Sequence, residues 1–337
     1  MKPRDAKIDV LRGIAVLSVV FIHTAYCSGG GYVPQAVRNI SLIFDIDLFF
    51  FATGLTIGYT NKINVLKQYT KITEMFLYFC LLYSIITFSF NSDAYFSTLL
   101  LNTPSFPSLE IVGVSYWFIP VYIICLLVVS VVRTAVLIRD LFIILVPLYY
   151  GFSYFYPLIT VGKPLLGMDV NMILYYSWLI IFAEFVQRNF IYMNWKIAIK
   201  FVLMSISLIV GYFLLFFLFD RNIFELQVYK FPTRLPYILI TLAACIIVWL
   251  VCHCIKPKIL IFLGKNAFVC YLAQGVSSSL IGYIQPELEW GWKPKFAFLL
   301  SINYLLFFIA TLFLLFYFKR MHAFFNKVYI YAKLSLR

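Results

Sequence analysis

The sequence predicts an all-α, polytopic transmembrane helix bundle of about ten spans, with both termini in the cytoplasm. Three observations carry this. Hydrophobic residues fill 63% of the 337 positions and charged residues only 12%, with a mean hydropathy of +0.93, whereas an ordinary globular domain is about 25% charged. Apolar runs of about 20 residues, enough to cross a hydrocarbon core, recur at roughly 8–28, 40–60, 72–91, 115–132, 141–158, 170–187, 197–219, 235–255, 259–284 and 296–318. The cations between them are lopsided. With the N-terminus inside, only Arg38, Lys163, Arg221, Lys230, Arg234, Lys293 and Lys295 fall outside, and all but Arg12 of the rest of the 27 Lys and Arg lie on the inner side.

The same counts exclude other classes. A net charge of +13 would suggest nucleic acid in a soluble protein, but cations sorted to one side of a membrane point to lipid, so no nucleic-acid partner is expected. The seven cysteines at 27, 80, 125, 245, 252, 254 and 270 mostly fall inside spans, where Cys acts as a small apolar residue. No disulfide framework is expected, and no cleavable signal peptide, because Arg12 and His23 interrupt the first apolar run. Neither an internal repeat nor an appended soluble domain is visible, so residues 1–337 read as one domain.

The first span is the most informative. Arg12 and His23 are eleven positions apart, which returns them to within roughly 20° of one helix face, about 16 Å apart along the axis. Asp9 lies one turn below Arg12 on that face and is placed to orient its guanidinium. Two readings stand: Arg12 snorkels to headgroups while His23 hydrogen-bonds inside the bundle, or the pair lines a functional passage. In the second span, Asp47 lies about 20 Å above the cytoplasmic side and His23 about 22 Å, with Asp45 slightly higher. The two are level. Polar groups deep in hydrocarbon must face one another or water.

Nearer the cytoplasm, Lys71 and Glu74 open the third span and Glu184 sits near the inner end of the sixth, as interfacial ion pairs or as part of a donor site. The segment from Asn91 to Gly113 lacks Lys and Arg and contains Pro104 and Pro107; it reads as a lid, an acceptor-binding element or a plain connector. Tyr154, Tyr156, Trp195, Trp290 and Trp292 near span ends read as interfacial belt residues. Cys252-His253-Cys254 does not make a metal site, because adjacent helical side chains point about 100° apart, and no metal is expected. Residues 319–337 form a basic, aromatic tail expected to lie on the inner membrane face.

Four segments resemble a known family. Ile8-Asp9-Val10-Leu11-Arg12-Gly13, followed by His23, is similar to the first-helix signature of the acyltransferase 3 family, the membrane O-acyltransferases of bacterial surface glycans. Asp47-Leu48-Phe49-Phe50-Phe51-Ala52-Thr53-Gly54 resembles its Asp-Leu-Phe-Phe-x-x-Ser-Gly run, with Thr53 for the usual Ser. Tyr116-Trp117-Phe118-Ile119-Pro120 is similar to its Trp-Phe-Leu-Pro segment. Leu263-Gly264-Lys265-Asn266-Ala267 through Tyr271-Leu272-Ala273-Gln274 resembles its Gly-Lys-Asn-Ser and Tyr-Leu-x-His helix. Two positions depart from the pattern: Gln274 stands where His is common, and Lys67 and Lys71 replace an Arg-rich segment.

The resemblance implies an O-acyltransferase of the cytoplasmic (inner) membrane, in the first place an O-acetyltransferase. Acyl-CoA, acetyl-CoA above all, enters from the cytoplasm as co-substrate with no permanently bound cofactor, and a hydroxyl of a surface polysaccharide or lipid-linked glycan arrives from outside. Such chemistry needs a base of near-neutral pKa, a group to orient it and cations for phosphates. His23, with Asp47 and Asp45, suits the first two roles, and Arg12, Lys71 and Lys265 the third. Tyr116, Trp117, Tyr271 and Gln274 are expected to contact the acceptor. Whether His23 is a base or carries the acyl group stays open. A transporter of glycan or small solute, or a sensor with a degenerate family fold, would use the same buried polar groups differently.

Overall fold

In lipid a backbone can satisfy its hydrogen bonds only within itself, so apolar segments of this length become helices. The computed structural model describes residues 5–27, 32–44, 46–156, 169–190, 193–219 and 225–335, and among these the regular structure is helical throughout. The elements are α1 (Ala6–Cys27), α2 (Gln35–Ile43), α3 (Asp47–Thr60), α4 (Val65–Thr87), α5 (Ser92–Leu99), α6 (Glu110–Ser115), α7 (Phe118–Val132), α8 (Val136–Phe155), α9 (Val170–Asn189), α10 (Trp195–Leu218), α11 (Leu226–Lys230), α12 (Leu235–Cys254), α13 (Lys258–Lys265), α14 (Ala267–Ile284) and α15 (Trp292–Ser335). Among the described residues, ten stretches are long and apolar enough to cross a membrane. Each corresponds to one expected span.

The chain's contacts divide into two units. The first comprises Met1–Tyr26, Gly30–Val65 and Val121–Ala267. Within it α3 packs extensively on α9, made possible by Gly54 and Gly58. A methyl at Gly54 would overlap the carbonyl of Ile180, and one at Gly58 would sit 2.8 Å from that of Glu184. Gly-x-x-x-Gly lets two backbones meet where any side chain would hold them apart. The contacts step forward together along both helices, from Asp47 with Tyr175 to Gly58 with Glu184, so α3 and α9 run in the same direction. A second close approach joins α13 to α1, with Gly13 against the backbone of Leu260 and Gly264 against that of Asp9.

The second unit comprises Cys27–Gly29, Leu66–Pro120 and Phe268–Arg337. Here α5 turns back along α4: Ser84 meets the hydroxyl of Tyr95 at 3.4 Å and Cys80 meets Thr98 at 3.9 Å. The segment after α5 is tied by the Tyr83 hydroxyl, which accepts from the Ser108 amide, and by Asn91, whose Nδ2 donates to the Ser105 carbonyl. Thus the 91–113 segment is a folded hairpin on α4, more than a plain connector.

Several boundaries differ from the expectation for physical reasons. The second span breaks between Ile43 and Asp47, and the break puts Asp47 in the first turn of α3, where the dipole favours a carboxylate. The fourth breaks at Tyr116-Trp117, leaving Pro120 in the first turn of α7, where a missing N–H is harmless. The third starts at Val65, so Lys67 and Lys71 ride on the helix. The tail does not fold back as a separate surface segment: α15 runs unbroken for 44 residues, about 66 Å against a core of about 30 Å. Beyond its apolar part it stays against α4, with Phe325 stacked on Tyr78 at 5.5 Å and His322 Nδ1 3.0 Å from Glu74.

Candidate active site

Two polar layers are built into the first unit. In the lower one, Arg12 on the second turn of α1 donates from Nη2 to the Thr56 hydroxyl of α3 at 2.8 Å, and its Nη1 lies 3.9 Å from Asp9. Asp9 is 1% exposed while the Arg12 side chain keeps 23%. The guanidinium is thus held on protein and still reachable. Because Gly264 packs on Asp9, the turn carrying Lys265 abuts the turn carrying Arg12, with Lys265 itself exposed. Sequence reasoning did not anticipate this contact.

The upper layer centres on Asp47. Its Oδ1 accepts from the Tyr175 hydroxyl at 2.7 Å and its Oδ2 from the Tyr237 hydroxyl at 2.5 Å, while Tyr175 also meets the Thr241 hydroxyl at 2.9 Å. All four residues are fully buried. The carboxylate therefore knots α3, α9 and α12 together, and two phenols supply the solvation that lipid cannot. His23 lies eleven residues above Arg12 on α1, about 16 Å, and Asp47 nine above Thr56 on α3, about 14 Å. Since Arg12 meets Thr56, the histidine and the aspartate fall at nearly one level. His23 is half-buried. Asp45 lies outside the described residues.

The other two histidines have local partners. His253 Nδ1 lies 2.9 Å from the Trp249 carbonyl and His322 pairs with Glu74. Cys252 is buried and Cys254 exposed, so the Cys-His-Cys run points three ways. Glu184 is an ion-pair hub: Arg133 Nε approaches at 2.8 Å and Arg188 Nη2 at 2.6 Å, and both arginines also donate to Asn61 Oδ1. Only the Glu184–Arg188 spacing was visible in sequence, as an i,i+4 pair.

In the second unit, Tyr116 is 1% exposed, its ring edge-on to Phe76 at 4.7 Å and its hydroxyl donating to the Thr98 carbonyl at 3.1 Å. Its neighbour Trp117 is half-buried. Tyr271 packs 5.5 Å from Phe118 and donates to the Ser115 carbonyl. Gln274, one turn further along α14, is fully buried, and neither amide atom has a partner among the described residues. A buried amide without partners costs about 1–3 kcal/mol. Lys71 is exposed on α4.

Arg12 and His23 thus stand at two depths of one helix, a cation bound to α3 below and a half-buried imidazole above. No curated protein and no solved structure matches the chain significantly. The acyltransferase domain model of the acyltransferase 3 family matches residues 5–320, from α1 into α15. With ten apolar helices and that match over nearly its whole length, the chain belongs to the acyltransferase 3 family and is a multi-pass membrane acyltransferase.

Proposed function

We propose that the protein is an O-acetyltransferase of the cytoplasmic membrane, with both termini in the cytoplasm, that moves an acetyl group from acetyl-CoA to a hydroxyl of a surface polysaccharide or its lipid-linked precursor. The observation that carries this reading is the pairing of Arg12 and His23 on α1, one bound to α3 through Thr56 and the other level with Asp47. Arg12, with Lys265 beside it, takes the donor's phosphates. The His23 imidazole accepts the proton of the acceptor hydroxyl as its oxygen bonds to the thioester carbonyl carbon. The tetrahedral intermediate then expels the thiolate, which takes that proton back from the imidazolium. Asp47, its charge held by two phenols, adds negative potential at the level where the imidazolium forms. Lys71, Trp117, Tyr271 and Gln274 are proposed as further donor and acceptor contacts from the motifs they occupy.

The test is transfer of label from acetyl-CoA to glycan by purified protein in nanodiscs. His23→Ala is expected to abolish transfer with the fold intact, and Arg12→Ala to raise the KM for acetyl-CoA more than it lowers kcat. Transfer by His23→Ala at the wild-type rate would refute the assigned chemistry. Acid quenching during turnover is expected to trap no acetyl-protein if His23 is the base.

A further inference from the structure

A cavity of about 420 Å³ opens in the first unit where α8 and α10 end and α9 and α12 begin. This is within the range of roughly 300–1,000 Å³ usual for small-molecule sites. Its polar lining is Ser153, Tyr154, Asn171, Tyr229, Thr233 and Arg234. Asn171 is the distinctive member. It is 5% exposed, its Oδ1 accepts from the Tyr149 hydroxyl at 2.8 Å, its carbonyl from that of Tyr150, and its own amide is capped by Asp169. Among the described residues nothing accepts from its Nδ2. A donor left open on a cavity wall is a hydrogen-bond site for a ligand.

Arg234 is exposed and has no carboxylate partner among the described residues, and the cavity sits at the N-terminus of the 20-residue helix α12, whose dipole favours an anion; the N-terminus of α9 is already capped by the Asp169 carboxylate. Tyr154, expected from the sequence to be a belt residue, and the buried Tyr229 are aromatic members of the lining. About one helix turn separates this lining from the buried Asp47 knot. Tyr175 is one turn past Asn171 on α9, its ring 6.4 Å from that of Tyr150, and Tyr237 follows Arg234 by three positions. The cavity therefore lies about 6 Å beyond Asp47, on the side away from Arg12.

We infer that this cavity binds an acidic sugar unit, its hydroxyls on Asn171 Nδ2, Ser153 and Thr233 and its carboxylate or phosphate on Arg234, and so presents the acceptor to the reaction level. The inference rests on the acceptor being a glycan, as proposed above.

The experiment titrates digalacturonate, glucose 1-phosphate and maltose against the full-length protein in zwitterionic nanodiscs, with acetyl transfer measured in parallel. Wild type and His23→Ala are expected to bind at least one of the two anionic sugars and maltose weakly. Preference between the two anionic probes identifies the group as the carboxylate of a polymer or the phosphate of a precursor. Arg234→Gln and Asn171→Asp, which removes the donor but keeps the acceptor for Tyr149, are each expected to weaken binding about tenfold or more, the worth of one charged hydrogen bond. Wild-type affinity in Arg234→Gln overturns the proposal, as does protection by phosphatidylglycerol with no sugar binding, which would make this a lipid site. Sugar binding without acetyl-CoA-dependent transfer would leave the cavity assignment standing and sink the enzymatic reading instead.

Discussion

Asp47 shows what a single charge in a membrane protein demands. Burial would neutralise a bare carboxylate, yet here each oxygen takes a tyrosine hydroxyl, from residues 128 and 190 positions distant. Removing one donor leaves the carboxylate partly unsolvated, so Tyr237→Phe is expected to cost about 1–3 kcal/mol, read as a lowered midpoint of thermal unfolding in detergent, and to slow acetyl transfer. An unchanged midpoint would mean that the phenol does not solvate Asp47. The Asp47 position was legible because a charge inside an apolar run is conspicuous. Tyr175 and Tyr237 were not, since nothing in sequence marks a tyrosine whose partner is long-range. Arg12 and His23 stood out for the opposite reason: helix periodicity alone relates them.

At the scale of elements, hydropathy found the spans and missed the breaks. Asp45 and Asp47 mark one break and Lys265 and Asn266 the other, but so few polar residues do not lower the hydropathy of a 20-residue window enough to separate α2 from α3 or α13 from α14. Helix contacts were partly readable. Gly54 and Gly58 have the spacing of a close-crossing pair, and the structure uses both against α9. Gly54→Ala would push a methyl into the Ile180 carbonyl. The expected result is a loss of about 1–3 kcal/mol, the usual cost of overpacking, and reduced transfer, because the same helix carries Asp47 and Thr56. A stable, fully active Gly54→Ala protein would show that α3 and α9 separate freely. The hairpin of α5 on α4 could not be read, since its hydrogen bonds join a loop to a helix by shape rather than pattern.

Across the whole molecule, helices of membrane-crossing length carry few buried polar groups, and in the first unit these lie at two depths. Ten spans and their order followed from hydropathy because each must fill the same thickness of lipid. The long α15 did not, since the membrane sets no limit on a helix that leaves it, and Tyr78, Glu74, His322 and Phe325 hold the extension to α4. The proposed direction of the bundle puts Arg12 towards the cytoplasm and the cavity at Asn171 towards the outside. Donor and acceptor then never share a compartment, and the imidazole is where they meet. The most direct test uses vesicles in which the protein has one orientation, acetyl-CoA is sealed on the Arg12 side and acidic glycan is supplied only on the other. The account predicts acetylated glycan on the far side with wild type and none with His23→Ala. Product formed only when donor and glycan are on the same side would contradict it.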